Sequence, residues 1–245
     1  MKSQVVWLRW IKKSDSPKFR LFCFPYAGAG PEVYRPWAQY LGEEVELVAV
    51  HYPGRESRGD ETACTNLPAL IDGLVPAMRP HLAIPFAFFG HSMGAYVAFL
   101  TEKALVEHNL KRPQHLFFSG ARAPFLQEEN PVHQLDKIGF LKAIIAMGGI
   151  PDEVKKHPEL IAQILPILRA DLTACESFEY RIRDDLGVPF TVLGGDADPR
   201  VSTEALSAWR QLSSTGADVH VYPGDHFFLN QHRAQIAALI NQTVI

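Results

Sequence analysis

The 245-residue chain contains little cysteine and carries almost no net charge. Its three cysteines are widely spaced and include no Cys-x-x-Cys pair, which argues against a disulfide framework and favours reduced thiols in the cytoplasm. The 24 basic and 27 acidic side chains give a formal net charge of −3, whereas nucleic-acid-binding domains are usually basic. We therefore expect a cytoplasmic protein with no nucleic-acid partner.

The sequence has few hydrophobic runs that could target the chain to a membrane, and two need to be considered. The apolar run that ends before Arg9 is four residues long, shorter than the roughly 7–15 of a signal-peptide core. Residues 80–101 contain no Asp, Glu, Lys or Arg and reach the length of about 20 that spans a bilayer. They include prolines, glycines, histidines and a serine, however. A buried strand followed by a buried helix explains the same run, and we expect no membrane association.

Sequence motifs for nucleotides and metals are absent as well. There is no G-x-x-x-x-G-K-[ST] and no H-E-x-x-H, and the histidines show no ligand spacing. Gly28 and Gly30 begin a possible dinucleotide fingerprint, but Val33 stands where its third glycine belongs and Pro31 interrupts the turn. The sequence therefore predicts no cofactor and no metal.

Short apolar runs alternate along the chain with longer helical patterns. Several runs are apolar throughout, which is typical of parallel strands covered on both faces. The alternation predicts an α/β protein with a mostly parallel central sheet and crossover helices on both faces. The predicted strands are residues 20–24, 45–50, 86–89, 115–118, 190–193 and 218–222, and the predicted helices lie near 33–41, 66–79, 93–108, 203–213 and 228–241.

Residues from about 123 to 186 interrupt this alternation because they contain no convincing strand. Helical patterns cover 138–147 and 159–180, and Pro166 is expected to kink or split the second one. About sixty residues are too many for a plain connection between strands. We predict a single domain over residues 1–245, with 123–186 forming an inserted helical cap. The apolar residues Ile161, Ile164, Leu165 and Leu168 either line a chamber or pack the cap onto the sheet.

The sharpest chemical signal is Gly-His-Ser-Met-Gly at residues 90–94, a G-x-S-x-G sequence. It follows a predicted strand and precedes a predicted helix, so Ser92 falls on a strand-to-helix turn. Flanking glycines relieve crowding in such a turn, and the N-terminus of the helix directs free N–H groups toward a developing oxyanion. Ser92 is therefore the candidate nucleophile; a glycine-flanked turn with a capping serine is the alternative.

A serine needs a base to remove its proton, and the later strands provide candidates. Asp196 and Asp198 both follow the predicted strand 190–193, and the pattern alone leaves either as the acid. His226 follows the last strand in a short polar loop and is the candidate base. The order Ser…Asp…His is that of α/β-hydrolases. The loop at residues 24–28 after the first predicted strand is then a candidate source of a second oxyanion N–H.

With these residues in place, the chain resembles the external, or type II, thioesterases of polyketide and nonribosomal peptide biosynthesis. The resemblance extends over most of the sequence, and the P-G-R, S-G-x-R-A-P and L-P-x-L-R-A-D segments are its most specific parts. The segments that carry it are residues 24–28 (F-P-Y-A-G), 52–56 (Y-P-G-R-E), 90–94 (G-H-S-M-G), 119–124 (S-G-A-R-A-P), 165–171 (L-P-I-L-R-A-D), 194–199 (G-G-D-A-D-P) and 224–228 (G-D-H-F-F).

The resemblance implies an editing hydrolase of the α/β-hydrolase fold that removes aberrant acyl groups from the phosphopantetheine arm of acyl or peptidyl carrier proteins. By motif position it implies Ser92 as nucleophile, Asp198 rather than Asp196 as acid, and His226 as base. The backbone N–H groups of Ala27 and Met93 would form the oxyanion hole.

Two other functions are compatible with some of these features. A serine esterase or acyltransferase acting on a free small molecule would use the same residues. A non-catalytic binding module is disfavoured because all three triad positions are filled. Tyr26 departs from the histidine found in many relatives, which bears on the polarity of the oxyanion loop and on acyl preference.

Overall fold

The structure is a computed structural model that describes residues 6–150, 152–181, 184–214 and 216–244. Residue 5 of the N-terminal apolar run and residues 151, 182 and 183 of the predicted cap lie outside these ranges. The strands are β1 Leu8–Lys12, β2 Phe19–Phe24, β3 Val45–Val50, β4 Phe86–His91, β5 His115–Ser119, β6 Phe190–Gly195 and β7 Asp218–Tyr222. The α-helices are α1 Leu67–Met78, α2 Met93–Glu107, α3 Lys137–Ala146, α4 Asp152–Lys155, α5 Pro158–Glu176, α6 Thr203–Ser207 and α7 Arg233–Val244.

The seven strands form one sheet in the order β1-β3-β2-β4-β5-β6-β7. All neighbouring pairs are parallel except β1 with β3. The six predicted strands are confirmed. Strand β1 was not predicted, because only Leu8 of its five residues is buried and its sequence carries two basic side chains. An edge strand of this kind lacks the continuous apolar run that marks the inner strands.

Helices cover both faces of the sheet, as predicted. Alternate residues of β2 point to opposite faces. Phe22 and Phe24 join a core that includes residues of α1 and α2, whereas Leu21 and Cys23 join a second core. That second core is covered by α7 and by 3-10 turns over Pro31–Tyr40. In the described residues no helix has the length and apolarity needed to cross a membrane.

The segment between β5 and β6 is helical and contains no strand in its described residues, as expected. Helix α5 runs unbroken through Pro166, so this proline does not split the helix; the alternative expectation, a kink at Pro166, stays a prediction. The apolar face of α5 forms a separate small core with α3. From α3 this core takes Phe140 and Ile144. From α5 it takes the stripe identified in the sequence, namely Ile161, Ile164, Leu165 and Leu168. Packing, rather than a chamber, accounts for this stripe.

Candidate active site

Ser92 lies on the sharp turn between β4, which ends at His91, and α2, which begins at Met93. Its backbone has φ 54° and ψ −118°, a conformation that an L-residue rarely adopts and that costs about 1–3 kcal/mol. The turn holds the serine at the carboxyl edge of the sheet, in front of the N-terminus of a 15-residue helix. A strained serine at this position fits the geometry expected of a nucleophile.

The two glycines of the motif are required by close backbone contacts. A Cβ atom on Gly90 would lie 2.1 Å from the carbonyl oxygen of Gly94. One on Gly94 would lie 1.9 Å from the carbonyl oxygen of Phe24, at the end of β2. Both distances are far inside van der Waals contact. Gly94 therefore allows α2 to approach the loop that follows β2, and this brings the two candidate oxyanion donors to one place.

The candidate base and acid are joined directly. The Nδ1 atom of His226 lies 2.7 Å from Oδ2 of Asp198, and the Asp198 side chain is 1% exposed. The other carboxylate oxygen of Asp198 accepts the backbone N–H groups of Arg200 at 2.8 Å and Val201 at 3.3 Å. Because a carboxylate only accepts, Nδ1 of His226 carries the hydrogen and Nε2 is left as the acceptor.

Asp196, the other candidate acid, has a different partner. Its Oδ1 accepts the backbone N–H of Gly224 at 2.9 Å and so ties the loop after β6 to the loop after β7. The structure thus brings Asp198 to His226, whereas Asp196 links the loops after β6 and β7. The sequence pattern alone left open which of the two aspartates meets the histidine.

A cavity of about 430 Å³ brings the remaining candidates together. Ala27, Ser92, Met93 and His226 all line it. Met93 is the first residue of α2, and the first N–H groups of a helix have no intrahelical acceptor. Within the described chain, neither the Ala27 N–H nor the Met93 N–H donates to a protein acceptor. Two free donors in the cavity that contains a serine fit the requirement of an oxyanion.

Part of the cavity wall is formed by charged side chains. Glu128 accepts from both Arg122, at 2.8 Å, and Arg200, at 2.5 Å. Arg200 also lies 3.0 Å from Glu176, the last residue of α5, which in turn bonds His133 at 2.7 Å. All five side chains line the cavity beside apolar residues such as Met147 and Leu172. A substrate group in this cavity therefore meets paired charges as well as hydrocarbon.

His91 precedes the serine and is completely buried. Its Nδ1 lies 2.9 Å from Oγ of Ser119, and its ring centroid is 5.1 Å from that of His226. The ring of Tyr26 meets it edge-on at 5.7 Å. Burial, and next the charge of a protonated His226, lower the pKa of His91 well below its usual range. A neutral ring at this position avoids placing a second cation against His226.

A buried ion pair beside the Ala27 loop was not identified as functional from the sequence. Arg55 holds both carboxylate oxygens of Asp171, with distances of 2.6 and 2.8 Å. Asp171 also accepts the backbone N–H of Gly28 at 2.7 Å. A signal for this pair was present, since Asp171 continues the three-residue spacing of the buried positions Leu165 and Leu168 on α5. A charged residue on a buried stripe needs a partner.

Comparison with known proteins decides the family. The model of the thioesterase domain family matches residues 19–244. This chain belongs to the thioesterase family. A solved relative, the type II thioesterase BorB from the borrelidin biosynthetic cluster, superposes with a TM-score of 0.90 at 30% identity and covers 100% of both chains. The predicted α/β-hydrolase fold and the resemblance to type II thioesterases are confirmed, and the chain is a thioester-hydrolysing enzyme.

Two curated relatives of this thioesterase have names that refer to gramicidin. The linear gramicidin dehydrogenase LgrE of Brevibacillus parabrevis is 37% identical over 242 residues, which are 97% of this chain and 92% of the relative. The gramicidin S biosynthesis protein GrsT of Aneurinibacillus migulanus is 35% identical over 231 residues, which are 94% and 90%. The name of LgrE calls it a dehydrogenase, an activity that commonly uses a dinucleotide held by free backbone N–H groups of a glycine-rich loop. In this chain the N–H of Gly28, in the glycine-containing loop after β2, is not free, because it donates to Asp171.

Proposed function

We propose that this thioesterase hydrolyses acyl groups from the phosphopantetheine arm of acyl or peptidyl carrier proteins, and so restores mis-primed or stalled carriers of a nonribosomal peptide or polyketide assembly line. The observation that carries the proposal is the meeting of Ser92, His226 and two free backbone N–H groups in one cavity. The kinship with type II thioesterases supports the carrier-bound substrate. The free thiols of Cys23, Cys64 and Cys175 are consistent with a cytoplasmic location, which remains a prediction.

In the proposed acylation step, Oγ of Ser92 attacks the thioester carbonyl while Nε2 of His226 takes the hydroxyl proton. The carbonyl oxygen becomes an oxyanion and is stabilised by the N–H groups of Ala27 and Met93. The C–S bond then breaks, and the phosphopantetheine thiolate receives the proton held by His226. Asp198 keeps the imidazole oriented and stabilises its cationic form.

In the deacylation step, His226 removes a proton from water as the water attacks the Ser92 acyl ester. The tetrahedral intermediate uses the same two N–H groups, and its collapse returns the proton to Ser92 and releases the acid. We further propose that residues 123–186 form a cap on a single α/β-hydrolase domain. Their contribution of Glu128, Leu172 and Glu176 to the cavity lining supports this organisation.

The decisive experiment follows the intact mass of an acetyl-loaded carrier protein. We expect the wild-type enzyme to return the carrier to its free-thiol mass and the Ser92→Ala variant to leave it acetylated. Ser57→Ala is the matched control, because Ser57 is exposed in a short turn outside the cavity lining. A fluorophosphonate should label the wild type and the control, but not Ser92→Ala.

The same experiment distinguishes the alternative functions. If acetyl stays on the carrier while a free acetyl ester is cleaved quickly, the enzyme is an esterase and the carrier-directed proposal is wrong. If acetyl moves to an added alcohol or amine in preference to water, the enzyme is an acyltransferase. Labelling of Ser92→Ala at the wild-type rate would exclude Ser92 as the nucleophile.

A further inference from the structure

Four backbone polar groups around Ala27 are bonded to side chains from other parts of the fold. The hydroxyl of Tyr34 donates to the carbonyl oxygen of Phe24 at 2.7 Å. The hydroxyl of Tyr52 donates to the carbonyl oxygen of Pro25 at 3.2 Å. The Ala27 N–H itself donates to no protein acceptor within the described residues. The loop is thus held on each side of the free Ala27 N–H.

The downstream side of this loop is held by ionic groups. Asp171 accepts the Gly28 N–H at 2.7 Å, and Arg55 donates to the carbonyl oxygen of Ala29 at 3.3 Å. Arg55 and Asp171 bind each other through two bonds and are 4% and 1% exposed. The remaining donors of Arg55 reach the carbonyl oxygen of Pro53. The pair therefore clasps the dipeptide Gly28–Ala29 through the N–H of Gly28 and the carbonyl oxygen of Ala29.

We propose that Arg55 and Asp171 are positioning residues that hold the Ala27 N–H where the thioester oxyanion develops. The proposal rests on the proposed function, because it assumes that Ala27 donates to that oxyanion. Neither residue touches the reacting atoms, since neither lines the cavity that contains Ser92. They act through the backbone: the Gly28 N–H and the Ala27 N–H belong to successive peptides, so fixing one orients the other.

Charge is well suited to this task. A buried ion pair contributes little to stability compared with apolar side chains of the same size, but it fixes geometry through short, directional bonds. Here the Asp171 carboxylate accepts three hydrogen bonds, and the Arg55 guanidinium donates to the carbonyl oxygens of Ala29 and Pro53. These bonds leave the loop little conformational freedom. The pair also links α5, which carries Asp171, to the oxyanion loop 143 residues away in sequence. The hydrogen bond to Gly28 thus depends on the placement of α5.

The test compares kcat and KM of Asp171→Asn, Arg55→Lys and the wild type on one acyl-thioester substrate. An amide at 171 has one acceptor and directs hydrogens at Arg55, and a lysine at 55 cannot span two carboxylate oxygens and the Ala29 carbonyl. We expect kcat to fall by about ten- to hundredfold in each variant, with KM changed less than threefold, because a displaced oxyanion donor weakens transition-state binding selectively. A trifluoromethyl ketone, which forms an oxyanion on the serine, should lose affinity in parallel.

The matched control is Glu46→Gln, which disturbs another largely buried ion pair. Glu46 bonds Arg20 on the neighbouring strand, outside the cavity lining. We expect this variant to be less stable but to keep wild-type kcat. If Asp171→Asn does not fold, the double replacement of Arg55 by Gln and Asp171 by Asn removes both buried charges and replaces it in the comparison.

The outcomes separate this inference from the proposed function. A wild-type enzyme without thioesterase activity contradicts the proposed function. An active wild type whose Arg55 and Asp171 variants fold and keep kcat within twofold contradicts the positioning role alone. A fall in kcat that Glu46→Gln reproduces at equal loss of stability also contradicts it, because general destabilisation would then explain the effect.

Discussion

Asp198 and His226 are joined by a 2.7 Å hydrogen bond in which one carboxylate oxygen faces the imidazole and the other is fixed by the backbone. The two N–H groups that fix it belong to Arg200 and Val201, two and three residues after Asp198 in the chain. The backbone of the loop after β6 thus orients the Asp198 carboxylate, and the carboxylate in turn orients the His226 ring. Because both oxygens are engaged, the acid cannot rotate without losing at least one bond.

This arrangement predicts a large effect of Asp198→Asn. An amide can offer a hydrogen to Nδ1 of His226, which moves the ring proton to Nε2 and removes the base from Ser92. We expect kcat to fall roughly 10³- to 10⁴-fold with little change in KM, on the scale known for this substitution in serine proteases. Steady-state hydrolysis of an acyl thioester checks it.

The control for that prediction is Asp196→Asn. The amide oxygen at 196 still accepts the Gly224 N–H, so the fastening of the two loops is kept. We expect kcat within about threefold of the wild type. If Asp196→Asn were the more damaging of the two substitutions, Asp196 rather than Asp198 would serve as the acid.

The paired charges on the cavity wall predict a flat dependence of rate on acyl length. In an apolar chamber each additional CH₂ is worth about 0.8 kcal/mol, or roughly fourfold in kcat/KM. Here a longer chain meets the ion pairs of Glu128 and Glu176 with Arg200. We expect kcat/KM to rise by less than about twofold per CH₂ from acetyl to octanoyl thioesters of N-acetylcysteamine. A steady fourfold increase per CH₂ would contradict this view of the wall.

How much the sequence predicts depends on whether a feature is local. The inner strands are evident because parallel strands buried on both faces are continuous apolar runs. The turn at Ser92 is evident because glycines, a serine and the change from strand to helix pattern occupy adjacent residues. The edge strand β1 was missed because it is mostly exposed and carries Arg9 and Lys12.

Features that join distant parts of the chain could not be predicted in the same way. Arg55 and Asp171 are 116 residues apart, and no local pattern indicates that they meet. The local pattern likewise left the choice between Asp196 and Asp198 open, because both occupy one turn, and only the family resemblance favoured Asp198. The stripe on α5 was ambiguous since helical spacing shows that a face is buried but not what covers it.

The contact between Gly94 and Phe24 predicts that Gly94→Ala is severe. The added methyl would lie 1.9 Å from the Phe24 carbonyl oxygen and 2.9 Å from that of Pro25, both in backbone that cannot rotate away. We expect a loss of about 3 kcal/mol or more in the free energy of unfolding, despite the better helix propensity of alanine. Urea unfolding measures this. In Gly59→Ala, where the nearest atom is 3.2 Å away, we expect a change below about 1 kcal/mol.

The partly buried His115 predicts that the enzyme loses stability in mild acid. His115 bonds Thr191 within the sheet, and burial lowers its pKa to about 4, although Asp218 acts in the opposite direction. The folded-state pKa therefore lies below the unfolded value near 6.5, and the unfolded chain binds more protons. The stability due to the neutral ring is complete above pH 6.5 and is lost as the pH falls from 6.5 toward 4.

This can be measured by urea unfolding at pH 7.5, 6.5, 5.5 and 5.0. After a discount for the partial exposure of His115, we expect its titration to remove about 1 kcal/mol between pH 6.5 and 5.0. The His115→Gln variant, whose amide can keep the bond to Thr191, should lose correspondingly less over that interval. His108→Gln, at an exposed position, should follow the wild type. Equal slopes for His115→Gln and wild type would mean that His115 is not held neutral by burial.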